Sequence, residues 1–285
     1  MKKLINLPSL NKTLNSDDIH NVLMPYNTDI VYLGGSLIEG SINPYGRGMG
    51  NVYSDIDVFI LRKHENYIAT KGEYNEKIKK TDFHTTPNGI SFDIEIYDRD
   101  CVDNMIELLE SSEINASERV LNYIDFPEGW NMESANSFFC RIKNSICIYN
   151  EDAYEKIIAK INFEKFMHIY KYYLMNEIDN IVQDVMGNEK ANQIETALLC
   201  AREACYHLMG IILLNEEQMY DRKKWLFIKF KNLVETKSMY VEELESCRQL
   251  FFGQIDEHEE AERMIHKFLG TMEKSLENIM IGVDF

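Results

Sequence analysis

The spacing of apolar residues changes once along this 285-residue chain, and that change restricts the fold more than any other feature. In residues 54–61 and 90–97, apolar residues alternate with polar ones, as in strands that are buried on one face. Beyond Cys101 apolar residues recur at intervals near 3.6, which is typical of packed helices. We therefore predict an α+β fold, in which a small mixed sheet with helices (residues 1–140) precedes an α-helical bundle (residues 141–285).

The exact position of the boundary stays open at the level of sequence. The boundary lies between Trp130 and Glu151, and the aromatic-rich residues 138–149 could still belong to the first sheet. Residues 63–80 are polar, and we predict a helix there.

Composition restricts the possible partners. The chain has 47 acidic and 30 basic residues, and its formal net charge is −17. Because Lys and Arg supply most of the contacts to nucleic-acid phosphates, we expect no extended duplex as a partner. The charge would suit a cationic acceptor, although solubility alone explains it equally well. No run of about 20 apolar residues and no signal-peptide pattern is apparent, so we expect a cytoplasmic protein without a membrane partner.

A glycine-rich turn follows the first apolar run. Residues 30–33 read as a buried strand that ends at Gly34, Gly35 and Ser36, and residues 37–42 read as the start of a short helix. Glycines let backbone N–H groups approach phosphate oxygens, and a helix that begins here would direct its positive end to the same place. We therefore predict a phosphate-binding turn, with the Ser36 hydroxyl as a further donor.

Acidic residues share one face of the next two predicted strands. Residues two apart in a strand project from the same face about 6 to 7 Å apart, so Asp55 and Asp57 can bind metal ions jointly. Asp93 would complete the site from a neighbouring strand, and Glu95 lies on the same face. Mg²⁺ prefers carboxylate oxygens together with water and substrate phosphates. Two Mg²⁺ ions, or Mn²⁺ in their place, could activate an attacking hydroxyl and neutralise a leaving pyrophosphate.

Together these residues resemble the signature of the DNA polymerase β-type nucleotidyltransferases. That signature is Gly-Ser, a spacer, Asp-x-Asp, and a third acid one or two strands later, and the run GGSLIEGSINPYGRGMGNVYSDIDVFI is similar to it. The resemblance covers about the first third of the chain. The residues that match stand-alone bacterial members are Gly34, Gly35, Ser36, Leu37, Glu39, Gly40, Ser54, Asp55, Ile56 and Asp57.

The resemblance implies a polymerase β-like catalytic domain and a role for each signature residue. Asp55 and Asp57 would bind both metal ions, and Asp93 would bind the catalytic ion and help to deprotonate the acceptor. Gly35 and Ser36 would hold the triphosphate.

In the helical half, many members of this superfamily have a Lys-Trp-Leu segment near the start of a late helix, whose lysine reaches the nucleotide phosphates. Lys224 stands at the corresponding place here, before Trp225 and Leu226. Because most basic clusters are solvated helix faces, a surface role for Lys224 is the alternative.

Two features depart from the common pattern. The spacer is longer than usual because it contains a glycine-rich insertion at residues 44–50, which is either a lid or acceptor loop, with Arg47 in reach of phosphate, or a surface loop. In addition, Asp93 and Glu95 compete for the position of third acid, and we favour Asp93.

The resemblance implies transfer of a nucleoside monophosphate from a nucleoside triphosphate to a hydroxyl acceptor, with release of pyrophosphate. The acceptor could be a nucleotide, a small molecule or a protein. We favour synthesis of an oligonucleotide or nucleotide signal of the kind used in antiphage defence. The alternatives are an aminoglycoside-type antibiotic adenylyltransferase, a protein-nucleotidylating enzyme, and an inactive nucleotide-binding partner module. The sequence does not indicate an oligomeric state.

Overall fold

The computed structural model of the protein describes residues 3–67, 73–75, 80–86, 90–113, 124–255 and 257–281. The chain divides into two compact units. The first unit contains the described residues up to Glu113 and then Ile124–Phe166, and the second contains the described residues from Met167 onward.

A mixed sheet forms the centre of the first unit. The strands of this unit are β1 (Leu4–Leu7), β2 (Lys12–Asn15), β3 (Ile30–Gly34), β4 (Ile56–Arg62), β5 (Glu73–Asn75), β6 (Lys80–Thr85), β7 (Phe92–Asp98) and β8 (Ile146–Tyr149). Among the described strands, β1 and β2 pair only with each other, and the other six form one sheet in the order β5-β6-β7-β4-β3-β8. Strands β4 and β7 pair in parallel, and their other neighbours are antiparallel.

Both units contain helices. Those that begin in the first unit are α1 (Ser16–Leu23), α2 (Gly35–Ile42), α3 (His64–Tyr67), α4 (Arg99–Ser111), α5 (Met132–Lys143), α6 (Glu151–Ile158) and α7 (Phe163–Lys190). The second unit contains the rest of α7 and α8 (Ile194–Asn215), α9 (Lys223–Thr236), α10 (Val241–Phe252) and α11 (His258–Ile281). The fold is therefore α+β, with a small mixed sheet followed by helices.

Alternation in β4 and β7 separates an apolar face of the sheet from a mixed one, which carries acids together with the buried Phe59 and Tyr97. On the apolar face, strand residues pack with side chains from α2 in one buried cluster, which includes Val31, Leu33, Leu37, Ile38, Val58, Ile60, Ile94 and Ile96. Because successive side chains point to opposite faces of a strand, Asp57, Asp93 and Glu95 lie on the other face.

The predicted strands are confirmed with small shifts of their ends, but the helix predicted at residues 63–80 is wrong. Among the described residues of this segment only His64–Tyr67 is helical, whereas Glu73–Asn75 is a strand and Lys80 begins the strand β6, which pairs antiparallel with β7. In this strand Thr81 is buried and Phe83 packs against the apolar cluster. Cross-strand pairing with β7 therefore decides the structure of a segment whose own sequence is mostly polar.

The first unit extends beyond the boundary predicted after residue 140. Of the aromatic-rich residues 138–149, only Ile146–Tyr149 belong to the first sheet, where they pair with β3 as β8, and Phe138 and Phe139 lie in α5. The compact units divide only after Phe166, within α7.

Helix α8 is the most apolar helix of the second unit. Among the described helices it alone meets the length and hydropathy criteria for a membrane span, with a mean hydropathy of 1.5, which the sequence analysis did not anticipate. In its most apolar window 61% of the residues are buried inside the protein, and a core helix meets the same criteria.

Candidate active site

One row of residues crosses four adjacent strands at the end of the sheet where α2 begins. Gly34 on β3 pairs with Asp57 on β4, and Asp57 pairs in turn with Asp93 on β7. On the other side of β7, Asp93 pairs with His84 on β6. Neighbouring strands lie about 4.8 Å apart, so the turn residue, both acids and the histidine are direct neighbours.

The turn after β3 lies against the first acid of this row. Gly35 has a φ of 73°, in the left-handed region that favours glycine. A Cβ atom at Gly35 would lie 1.8 Å from Oδ2 of Asp57, so no side chain fits between the backbone and the carboxylate. Gly35 and Ser36 are the first two residues of α2, which has neither a side-chain cap nor an acid in its first turn. Their backbone N–H groups are therefore suited to an anionic ligand.

Asp55 lies just before β4 and is exposed. The next residue still pairs with the neighbouring strand, because Ile56 N donates to Ser91 O at 2.9 Å. The turn that precedes Asp55 is held by Ser54, whose Oγ accepts from Asn51 N at 3.0 Å. The Ser54 side chain therefore has a structural contact, which holds the turn that leads into Asp55.

Asp93 and Glu95 have different surroundings, although they lie on the same face of β7. The carboxylate of Glu95 is buried and accepts from Arg141 Nη1 at 2.8 Å and from Tyr97 Oη at 2.6 Å, and Lys80 Nζ lies 3.3 Å away. Burial alone would raise the pKa of Glu95, but Arg141, Lys80 and the Tyr97 hydrogen bond outweigh it and hold this pKa below its usual value. Glu95 is therefore committed to a structural ion pair.

Asp93 is only half-buried. Burial raises the pKa of Asp93, and the negative charges of Glu95 and Asp82 raise it further, against the smaller opposing effects of Lys80 and Arg141. A carboxylate that is destabilised by burial and by like charges gains most from a nearby cation.

The oxygen ligands at this site are of the kind that a divalent metal prefers, but the side chains are not yet arranged around a common point. All three candidate ligands offer carboxylate oxygens, which suit Mg²⁺ and Mn²⁺. Within the part of the chain that the structure describes, no three His, Cys, Asp or Glu side chains already form a group able to hold a metal ion. Ligation by Asp55, Asp57 and Asp93 together would therefore require side-chain rotation.

The glycine-rich insertion packs on α2. A Cβ at Gly46 would lie 2.8 Å from Glu39 O, and a Cβ at Gly40 would lie 2.6 Å from Met49 O, so glycines on both sides allow close approach of the two backbones. Gly46 and Met49 are buried, whereas Arg47 between them is exposed. The insertion is thus anchored at two points while it presents Arg47 to solvent.

Lys224 belongs to the second unit, in contrast to the other candidate residues. It lies in the first turn of α9 and is exposed, and its Nζ is 5.2 Å from the ring centroid of Trp225. A role in phosphate binding stays a prediction.

Sequence reasoning missed Arg141, which packs on the face of the sheet that carries the acids. Arg141 comes from α5, lies over the ring of Phe59 at 5.3 Å and neutralises Glu95. Only the position of a charged residue among the buried aromatic residues of α5 could have indicated it. His84, the register partner of Asp93, is exposed and contacts Ser91 Oγ at 3.0 Å.

Neither a protein-family model nor a curated protein matches this sequence. Among solved structures, the chain is similar to a nucleotidyltransferase-like protein from Exiguobacterium sibiricum, with a TM-score of 0.47 and 10% sequence identity. The similarity covers 92% of this chain and 73% of that chain. At this level it assigns neither a family nor a function.

Proposed function

We propose that the protein is a metal-dependent nucleotidyltransferase that transfers a nucleoside monophosphate from a nucleoside triphosphate to a hydroxyl acceptor. One juxtaposition carries the proposal. The Gly35 backbone touches the Asp57 carboxylate, and Asp57 is the register partner of Asp93. A turn suited to phosphate and a pair of acids suited to its counter-ion thus share one end of one sheet.

Each residue then has a proposed role. Asp55, Asp57 and Asp93 would hold Mg²⁺ or Mn²⁺, which when bound would neutralise phosphate charge and lower the pKa of the attacking hydroxyl. The N–H groups of Gly35 and Ser36 would donate to phosphate oxygens and orient the triphosphate.

In the proposed reaction the acceptor hydroxyl oxygen forms a bond to the α-phosphorus, and the bond from that phosphorus to the α,β-bridging oxygen breaks. Pyrophosphate leaves with the bridging oxygen, and the Asp93 carboxylate would accept the proton of the attacking hydroxyl. Lys224 and Arg47 are proposed as further phosphate contacts, and Gly34 as the residue that lets the strand turn into α2.

We propose a nucleotide as the acceptor, so that the product is an oligonucleotide or nucleotide signal. Incubation of the full chain with each α-labelled nucleoside triphosphate and Mg²⁺, without any other acceptor, tests this directly. The expected result is a labelled oligonucleotide together with pyrophosphate. Label on the protein itself would instead indicate protein nucleotidylation. A product that requires an added aminoglycoside would indicate antibiotic modification.

A variant pair separates catalysis from fold. Replacement of both Asp55 and Asp57 by alanine should abolish pyrophosphate release without loss of the cooperative unfolding transition. Replacement of Glu107 and Glu110 by alanine is the matched control, because both are exposed acids of the same unit, on α4, that lie outside the signature. Turnover in the double variant would refute the metal assignment. Nucleotide binding without turnover by the wild-type chain, under every acceptor condition, would indicate an inactive module.

A further inference from the structure

A groove lies between α7 and α11 within the second unit, and its volume is about 740 Å³. Its apolar lining follows helical spacing along both walls, with Ile178, Val182 and Met186 on α7 and Leu269, Leu276 and Met280 on α11. Residues four apart lie on the same face of a helix, so each wall presents a continuous apolar row.

The two rows leave open space between them. Gly270 lines the groove, and a Cβ atom added there would have no described atom within 4 Å. At the rim, Met186 is 46% exposed and Met280 is 52% exposed. In a tightly packed helix pair, side chains of one helix fill the space beside such a glycine on the other. The groove therefore has apolar surface that could accept another element.

Acidic side chains border the apolar rows. Asp179, Glu273 and Glu277 line the groove and are exposed, and its described lining residues include no Lys, Arg or His. The net charge of the chain is −17, so the electrostatic potential of the whole protein is negative, like that of the groove. Both favour an occupant that is apolar on one side and positively charged beside it.

We propose that this groove binds a cationic amphipathic helix of a partner protein. At 1.5 Å per residue, the apolar rows extend for about 12 Å on α7 and about 16 Å on α11, which corresponds to two to three turns of a bound helix. Such a helix would insert apolar anchors at positions i, i+3, i+4 and i+7, and methionines in the walls adapt readily to different anchors. A second copy of this chain fits poorly, because two sets of acidic walls would face each other.

Fluorescence anisotropy with a labelled synthetic peptide tests the proposal. The probe is an amphipathic helix of about 18 residues, built from Leu on one face and Lys on the other. The full chain should bind it saturably, and added salt should weaken the binding. A companion peptide with Glu in place of Lys should bind at least about tenfold more weakly. No saturable binding, or equal binding of the two peptides, would overturn the proposal.

Two matched variant pairs locate the binding site. Gly270→Leu fills the groove and should weaken binding by about tenfold or more. Gly187→Leu is its control, because Gly187 also has open space at its Cβ position but lies outside the lining. Both substitutions replace a helical glycine, so neither should reduce thermal stability. Glu277→Lys should likewise weaken binding more than Asp184→Lys, an equal charge change outside the lining.

Equal losses in a variant and its control would overturn the proposal. Sedimentation analysis addresses the second copy, since a dimer that Gly270→Leu abolishes would assign the groove to self-association instead. Tighter binding of dodecylammonium than of the peptide would assign it to a small cationic amphiphile.

Discussion

Replacement of Gly35 by alanine would act directly on Asp57. The added Cβ would lie 1.8 Å from Oδ2 and 2.5 Å from Cγ of Asp57, whereas real Cβ contacts essentially never fall below 3.0 Å. The carboxylate must therefore move by more than about 1 Å. Because a displacement of this size in a site can cost about 10²-fold in rate, we expect kcat/KM for pyrophosphate release to fall about 100-fold.

The same substitution also affects stability, which requires a control. A non-glycine residue at the φ of 73° found for Gly35 costs about 1 to 3 kcal/mol. Gly129, in the turn before α5, has a comparable φ of 84° but lies outside the signature. Gly129→Ala should therefore lose similar stability in urea denaturation while it keeps most of its activity.

The comparison is made at a temperature at which both variants are folded, as judged by the cooperative unfolding transition. If Gly35→Ala were as active as Gly129→Ala, the contact between the turn and Asp57 would have no catalytic importance, and the reasoning would fail.

Three further predictions concern the charged residues of the first unit. Asp93→Asn should raise the free energy of unfolding at pH 7, because the raised pKa of Asp93 means that its charged form destabilises the fold. The same substitution should abolish turnover, because it removes the proposed base and metal ligand. Urea denaturation and a pyrophosphate assay check the two effects, and an active or less stable variant would contradict them. Glu95→Gln should destabilise the protein by about 3 to 5 kcal/mol at neutral pH, since it leaves Arg141 buried without its charge partner. Because the pKa of Glu95 is lowered from 4.5, this stabilisation is present above that pH and is lost as the pH falls below it, so denaturation curves of the variant and wild type should converge in acid. Asp29→Asn should cost a similar amount in thermal or urea unfolding by breaking the buried pair in which Arg62 Nη2 lies 2.8 Å from Asp29, and a loss below about 1 kcal/mol would show that the pair matters little.

The sequence pattern predicts β4 and β7 correctly, because burial constrains their register. At the start of β4 and β7 the half-buried Asp57 and Asp93 each lie between two buried apolar residues, so a shift of one residue would place an acid in the apolar cluster. Alternation therefore predicts both the strands and the shared face of Asp57 and Asp93.

The supporting elements are less visible in the sequence because they depend on partners. Strands β5 and β6 form by pairing with each other and with β7, so the polar residues 63–80 predict a helix where the described residues 73–75 and 80 are in strands. The ion pair of Arg141 with Glu95 joins α5 to β7, and no local pattern links residues so far apart. It is this pair that distinguishes the surroundings of Glu95 from those of Asp93.

The parallel pairing of β4 with β7 also matters for how the chain is made. Parallel neighbours cannot be joined by a tight hairpin, so the link from β4 must pass through β5 and β6 before β7 can add to the sheet. Until β7 has emerged from the ribosome, a nascent chain exposes an unpaired and highly apolar edge at β4. Protection of that edge during translation, by a chaperone or by slow synthesis, should therefore influence the yield of active protein.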